Sequence, residues 1–257
     1  MYNPQELLSL IDHNKWWILG GFGIVMIFQW IWLIECVRVA RRDRAYSMPL
    51  FLTFFWFAHD TGCVARFNLW FNVYDHWFVK LFWLGLLTAV ILELIFFSQV
   101  IKYGKDELVP GISTRNFVLG LVVFQIGASV TWEYFKYVMA DPLYQTSPTV
   151  TLISYPLLGA ALMLRRRSTI GQNVTMWWTF TAMTMAWQAT LWIWYGPAFR
   201  SWQMVAGGIV AIVGGLAMTY LVSDRSTWFS RRPLVASADT TVGSADMRTA
   251  APPSARR

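Results

Sequence analysis

Seven long apolar stretches, separated by short polar connections, dominate this chain. A transmembrane helix needs about 17–25 predominantly apolar residues. A scan at that length predicts spans over residues 16–36, 47–69, 77–101, 117–139, 149–164, 173–195 and 203–223. The fifth span contains Pro156, where we expect a kink or a tilt. The pattern predicts an all-α, multi-pass membrane protein with seven transmembrane helices.

The composition favours the membrane class. Of the 257 residues, 56% are hydrophobic and only 14% are charged, whereas a soluble domain carries about 25% charged residues. Residues 1–15 are then an extramembrane amino-terminal segment, 16–223 the seven-helix domain and 224–257 a cytoplasmic tail. The tail is rich in Ala, Ser, Thr and Pro and cannot bury a core, so we expect it to be largely disordered.

Basic residues alternate between loops in the way that the positive-inside rule describes. They concentrate in the first, third and fifth loops and in the tail: Arg38, Arg41, Arg42, Arg44, Lys102, Lys105, Arg115, Arg165, Arg166, Arg167, Arg225, Arg231 and Arg232. This places the amino terminus outside and the carboxyl terminus in the cytoplasm, at a bacterial cell membrane or an endoplasmic reticulum. The net charge of +7 comes from these loops and the tail, so we expect no nucleic-acid partner.

Three ionisable side chains interrupt the second span: His59, Asp60 and Arg66. A charged group at membrane depth costs about 2.5–3.5 kcal/mol on insertion scales, so such groups usually face a protein interior or a wet cavity. His59 and Arg66 share one helix face, and Asp60 lies about 100° round from His59. The cluster is therefore a candidate functional site in the middle of the membrane.

Two interpretations of these groups stay open at this level. In the first they are internal ties, with Asp60 paired to His59 or Arg66, and Glu133 of the fourth span paired to Lys136. In the second, Asp60 is a proton donor, because burial favours the protonated form of a carboxylic acid. We favour the second interpretation for Asp60. Glu133, at a similar or more outward depth, is then a candidate for a second acid.

Deep aromatic residues accompany the cluster. Many of the sixteen tryptophans lie near helix ends, as interfacial belts do, but Trp56, Trp132 and Trp187 lie deep within spans. An aromatic face can stabilise a desolvated cation by about 2 kcal/mol or more. Packing against protein or lipid is the commoner role of such rings, but rings around a proton donor suit carbocation chemistry.

Motifs for other chemistries are missing from the sequence. It has no Walker loop, zinc-type His/Glu pair or Gly-rich dinucleotide turn, and no Asp-rich run of the magnesium–diphosphate kind. The seventh span has no lysine for a retinal Schiff base. We therefore expect neither a metal ion nor an organic cofactor.

Several short motifs resemble the integral-membrane terpene cyclases. These are seven-helix enzymes of paxilline-type indole-diterpene and meroterpenoid pathways, with bacterial relatives. The motifs are RDRAYSMPL at 42–50, FWLGL at 82–86, RSTIG at 167–171 and WYGPAF at 194–199, and they match most of residues 16–223 in order and spacing. The resemblance implies that an acid on the second helix protonates an epoxide or an alkene to begin cyclisation. Asp60 lies at the matching position.

The chain departs from that family at two points. The family usually has Trp-Glu where this chain has His59 and Asp60, and it has a second acid on the last helix, whereas residues 203–223 contain none. We expect His59 to tune Asp60, and Glu133 to substitute as the second acid or the final base.

The sequence thus predicts a metal-independent membrane terpene cyclase for a lipophilic isoprenoid: a prenylated aromatic, its epoxide or a polyprenyl compound. The predicted catalytic residues are Asp60, His59 and Glu133, and the predicted substrate-binding residues are Trp56, Arg66, Trp132 and Trp187. Its partners would be that substrate and the lipid bilayer, and the oligomeric state stays open. The alternative is a proton-coupled small-molecule transporter that uses His59, Asp60 and Arg66 as a relay.

Overall fold

The computed structural model describes residues 2–229, and the regular elements within that range are all helical. The α-helices are α1 Pro4–His13, α2 Lys15–Asp43, α3 Leu50–Val64, α4 Trp77–Gln99, α5 Lys105–Leu108, α6 Thr114–Met139, α7 Ser147–Arg166, α8 Val174–Trp194 and α9 Trp202–Leu221. The predicted all-α class is confirmed for this part of the chain. Most of the tail for which we expected disorder, residues 230–257, lies outside the described residues.

Each of the seven predicted stretches coincides with a helix. Five of these helices are long and apolar enough to cross a bilayer: α2, α4 with its extension to Leu108, α6, α7 and α9. They are the helices of a membrane protein. Threonine occupies five positions of α8 and lowers its apolar content. α7 stays helical on both sides of Pro156.

The second predicted span, 47–69, is shorter than expected, because α3 ends at Val64. The backbone amide of Arg66 donates to the carbonyl of Cys63 at 3.1 Å, which tightens the chain into a turn. The Arg66 guanidinium also donates to the carbonyl of Gly62, at 2.5 Å. The chain then continues as the π-helix Leu69–Val73. Apolar residues run on past the turn, so the hydrophobic pattern alone did not mark this helix end.

Helices α2, α3, α4, α7 and α8 form a ring around a common interior. α2 packs against α8, α8 against α9, and α9 against α7, whereas α3 lies between α4 and α6 and also touches α7. α6 therefore lies behind α3, and α9 lies behind α7 and α8. Few contacts join α2 to α4, so the ring is only loosely closed between these two helices.

Small residues let α7, α8 and α9 approach closely, as is common among membrane helices. A Cβ atom added to Gly159 of α7 would lie 2.6 Å from Cζ2 of Trp177 on α8. One added to Gly214 of α9 would lie 2.8 Å from Cβ of Pro156. No larger residue fits at either glycine without a shift, so these three helices form a tightly packed wall on one side of the interior.

The connections between the long helices gather at two ends of the bundle. The first group contains most of the basic loop residues and consists of residues 44–49, 100–113 and 167–173. The second group meets α1 at the opposite end and consists of residues 65–76, 140–146 and 195–201. The chain therefore alternates between the two ends at each long helix.

A polar clasp joins the loops at the basic end. The Glu107 carboxylate accepts hydrogen bonds from the Tyr46 hydroxyl at 3.3 Å and from Nε of Arg166 at 3.0 Å. The Arg166 guanidinium also donates to the backbone carbonyl of Tyr46 at 3.0 Å. The Gly171 amide donates to the Asp43 carboxylate at 2.9 Å. These five residues form what we call the basic-end clasp, which fixes the loop from which α3 begins.

We expect Glu107→Gln to weaken the basic-end clasp, because an amide accepts less strongly and turns its NH₂ group toward Arg166. The free energy of unfolding should fall by about 1–2 kcal/mol, since the bonds are charge-assisted but partly exposed. Thermal unfolding in detergent, followed by tryptophan fluorescence, measures the change. Asp106→Asn is the control, because the Asp106 side chain is 81% exposed. Equal losses in both variants would contradict a role for Glu107 in the clasp.

Candidate active site

A cavity of about 110 Å³ lies inside the ring of α2, α3, α4, α7 and α8. Most of its lining is aromatic or aliphatic, including Trp32, Trp56, Phe82, Leu86, Met183 and Trp187. His59 and Asp60 are the ionisable residues among the described side chains that line it. Four of the seven predicted site residues, His59, Asp60, Trp56 and Trp187, are therefore brought together around one interior space.

His59 and Asp60 form a hydrogen-bonded pair at the edge of the cavity. Nδ1 of His59 bonds to Oδ1 of Asp60, and Nε2 of His59 lies 3.2 Å from Oγ of Ser147. Only 4% of His59 and 7% of Asp60 is exposed. Both ring nitrogens have partners, so the orientation of the imidazole is fixed. One carboxyl oxygen of Asp60 is engaged by His59, and the other carries no hydrogen bond to the described residues.

Two aromatic rings hold the His59 imidazole in place. Trp132 of α6 lies edge-on to it at a centroid separation of 4.8 Å, and Tyr144 lies at 5.3 Å. Trp132 also packs edge-on against Phe55 of α3, at 4.8 Å. We had expected Trp132 to line the substrate chamber. It instead supports the imidazole from behind, on the side of α3 that faces α6.

Ser147 is positioned by Asp141, which organises the turn before α7. Oδ1 of Asp141 accepts from the Tyr2 hydroxyl at 2.5 Å and from the Gln145 amide at 2.9 Å. Oδ2 accepts from the amides of Thr146 and Ser147 at 2.9 and 2.8 Å. Burial, and then the charge of Asp141, raise the pKa of Tyr2, which keeps its hydroxyl a donor. Residues far apart in sequence thus fix the serine that meets His59.

Aromatic side chains form one wall of the cavity. Trp32 and Trp56 meet edge-on at 5.3 Å, and Tyr155 lies 5.7 Å from Trp56. The indole N–H of Trp32 donates to the Tyr155 hydroxyl at 3.3 Å. The indole N–H groups of Trp56 and Trp187 have no hydrogen-bond partner within residues 2–229. A wall of this kind stabilises positive charge through its ring faces.

Arg66 and Glu133 lie together but outside this cavity. The Arg66 guanidinium donates to Glu133 at 2.5 Å and to the Tyr144 hydroxyl at 2.6 Å. Both residues border a separate, open pocket of about 430 Å³, which they share with Lys136 and Asp141. The first interpretation had paired Glu133 with Lys136. In the structure Glu133 is paired with Arg66 instead. The structure does not bring Glu133 to Asp60, where we had expected a second acid.

A further acid, Glu93 of α4, is buried inside the bundle. Only 4% of Glu93 is exposed. Its Oε2 atom has no hydrogen-bond partner in the described part of the chain. Glu93 does not line the cavity, so its carboxyl group does not reach the space in which a substrate would lie.

The described residues offer no ready metal site. Within residues 2–229, no group of three or more His, Cys, Asp or Glu side chains is arranged to hold an ion. Comparisons of the chain with protein-family models, curated proteins and solved structures found no match. The chemistry of the cavity therefore has to be inferred from its own residues.

Sequence reasoning missed Ser147 and Asp141. Ser147 precedes Pro148 at the start of α7. Ser and Pro are typical of a helix start, so the sequence did carry a signal for the amino-terminal end of α7. Nothing in the sequence showed that this end packs against the middle of α3. Asp141 follows Ala140 in the loop, where an acid would ordinarily be read as a solvated turn residue.

We expect Asp141→Asn to destabilise the protein by about 2 kcal/mol or more, because Asn has one acceptor oxygen for four donors and turns its NH₂ group toward two of them. Thermal unfolding of the purified protein in detergent measures the loss. Asp75→Asn is the matched control, since the Asp75 side chain is 69% exposed and its backbone conformation also suits Asn. Similar stability of the two variants would contradict the organising role of Asp141.

Proposed function

We propose that all seven long helices cross the bilayer, with the basic end in the cytoplasm. The alternation of the connections between two ends supports this topology, and the basic residues match the positive-inside rule. α3 and α8 contribute many buried residues to the interior. A helix surrounded by other helices has less need of an apolar surface and of full bilayer length than one that faces lipid.

We infer that the chain is a membrane terpene cyclase that starts ring closure by protonating a lipophilic isoprenoid. The observation that carries this proposal is the buried His59–Asp60 pair at the edge of a largely apolar, aromatic-lined cavity. An acid in such a place can deliver a proton to a hydrocarbon and keep water from the resulting cation. The motifs that resemble the membrane cyclases add support.

The partners of His59 suggest where the protons lie. In the protonation state that we propose, the Ser147 hydroxyl donates to Nε2 and the Nδ1–H group donates to Oδ1 of Asp60, which leaves Oδ2 to hold the transferable proton. Transfer of this proton to a double bond or an epoxide oxygen makes a carbocation, and the electron pair of the O–H bond stays on Asp60. The imidazole N–H then stabilises the new carboxylate. In the family that the chain resembles, Trp-Glu takes the place of this pair.

Ring closure follows without any further reagent. Electron pairs of the remaining double bonds attack the cation and form new C–C bonds, while the ring faces of Trp56 and Trp187 stabilise the moving positive charge. Loss of a proton from the last cation to the Asp60 carboxylate restores a double bond and the acid. The reaction is redox-neutral, and Asp60 serves as both acid and base. Glu133 then has no part in it.

We expect Asp60→Asn to lower product formation by about 100-fold or more while expression and folding persist, since general acid catalysis contributes about 10²–10⁴-fold. Membranes containing each variant would receive prenylated aromatics, their terminal epoxides and polyprenyl alcohols. Mass spectrometry and NMR would detect an isomer of unchanged mass with new ring signals. Glu133→Gln is the matched control and should cyclise like the wild type.

Each contrary result has a definite meaning. Full activity in Asp60→Asn would remove Asp60 as the acid, and a loss in Glu133→Gln would restore Glu133 as the second acid. If the wild type returns every substrate unchanged, the cyclase proposal fails. Uptake into proteoliposomes that depends on a pH gradient and on Asp60 would then favour the transporter alternative.

A further inference from the structure

The cavity beside Asp60 is too small for a whole isoprenoid. Its volume is about 110 Å³. For comparison, an apolar cavity of about 150 Å³ holds one benzene molecule. The space at the acid can therefore take about one five-carbon unit, and the remainder of a substrate has to lie elsewhere.

A larger, mostly apolar groove lies next to this cavity. It lies between α2 and α4 and has a volume of about 470 Å³. Five residues line both spaces and so lie between them: Val25, Gln29, Phe82, Leu86 and Trp187. By the same comparison, the groove holds roughly 15–20 carbon atoms. The groove therefore lies directly beside the cavity, and a linear chain that passes between these five side chains would reach the acid.

Two glycines and a loose helix contact create the groove. Gly23 of α2 and Gly85 of α4 both line it. A Cβ atom at Gly23 would meet no described atom within 4 Å, and one at Gly85 would lie 4.0 Å from Sδ of Met26. α2 and α4 make few contacts with each other, which leaves this side of the ring open.

The mouth of the groove opens on the outer surface of two helices that are apolar enough to span a bilayer. Leu81 and Leu84 of α4 line the groove and are 48% and 51% exposed, and Trp30 of α2 is 36% exposed. These side chains present an apolar entrance to lipid. Gln29 lines both the groove and the cavity, and it brings an amide side chain to that lining.

We propose that the α2–α4 groove binds the unreacted polyprenyl chain of the substrate, which enters sideways from the bilayer and places its reacting end at Asp60. The inference rests on the proposed function, because that function supplies the isoprenoid. The position of the groove directly beside the acid's cavity favours this occupant over a bilayer acyl chain. A lipid acyl chain would gain nothing from reaching His59 and Asp60.

The test is photolabelling with a geranylgeraniol analogue that carries a diazirine on its chain, followed by peptide mapping. Labelling needs no turnover, so it reports on the groove even if cyclisation fails. Gly23→Leu fills the groove and should reduce labelling of α2 and α4 peptides by about tenfold, which corresponds to about 1.4 kcal/mol of lost affinity. Gly127→Leu on α6 is the control, because a Cβ there also meets no described atom within 4 Å.

Label on α2 and α4 that geranylgeraniol displaces, that falls in Gly23→Leu and that persists in Gly127→Leu supports the proposal. Label spread over all lipid-facing helices, or unchanged in Gly23→Leu, overturns it. Displacement by oleic acid as effective as by geranylgeraniol would assign the groove to acyl chains instead. Gly85→Val is the second filling variant if Gly23→Leu does not fold. Labelling of α2 and α4 without any cyclised product would refute the cyclase proposal. The assignment of the groove as a binding site for a polyprenyl chain would remain.

Discussion

A buried carboxyl group has to find its hydrogen bonds inside the protein, because burial removes it from water. In this chain His59 meets that need for Asp60, and the imidazole is in turn fixed by Ser147. Ser147 takes its place from Asp141, which also accepts the hydroxyl of Tyr2. The position of the acid therefore depends on a chain of contacts that runs from the amino-terminal segment to the middle of α3.

The rest of the bundle supports this one arrangement. α7, α8 and α9 pack through glycines into a wall that carries Trp187 and the start of α7, and α6 presses Trp132 against the imidazole. The basic-end clasp holds the loop before α3. The motifs at 42–50 and 167–171 contribute Asp43, Tyr46 and Gly171 to that clasp and do not line the cavity, so they help to place α3. The chemistry that we propose depends on the few residues that face inward.

Hydrophobic runs predicted every long helix, because burial in lipid or protein demands a long apolar stretch in either case. The end of α3 was not predictable, since the turn at Arg66 depends on a hydrogen bond and not on polarity. The sequence placed Asp60 and His59 side by side on one helix, and their pairing was one of the two alternatives that it left open for Asp60. Which residues of other helices face this pair depends on how each helix is rotated about its own axis, and the sequence does not give that rotation. Glu133 therefore lies in another pocket. For the same reason Ser147 was invisible.

The central claim is that Asp60 holds a transferable proton while His59 stays neutral. Infrared difference spectroscopy of the wild type against Asp60→Asn, in lipid at neutral pH, tests it most directly and needs no substrate. We expect a protonated-carboxyl C=O band that is present in the wild type and lost in the variant. A difference spectrum that contains only carboxylate bands would contradict the claim, because Asp60 and His59 would then form an ion pair that merely ties the helices together.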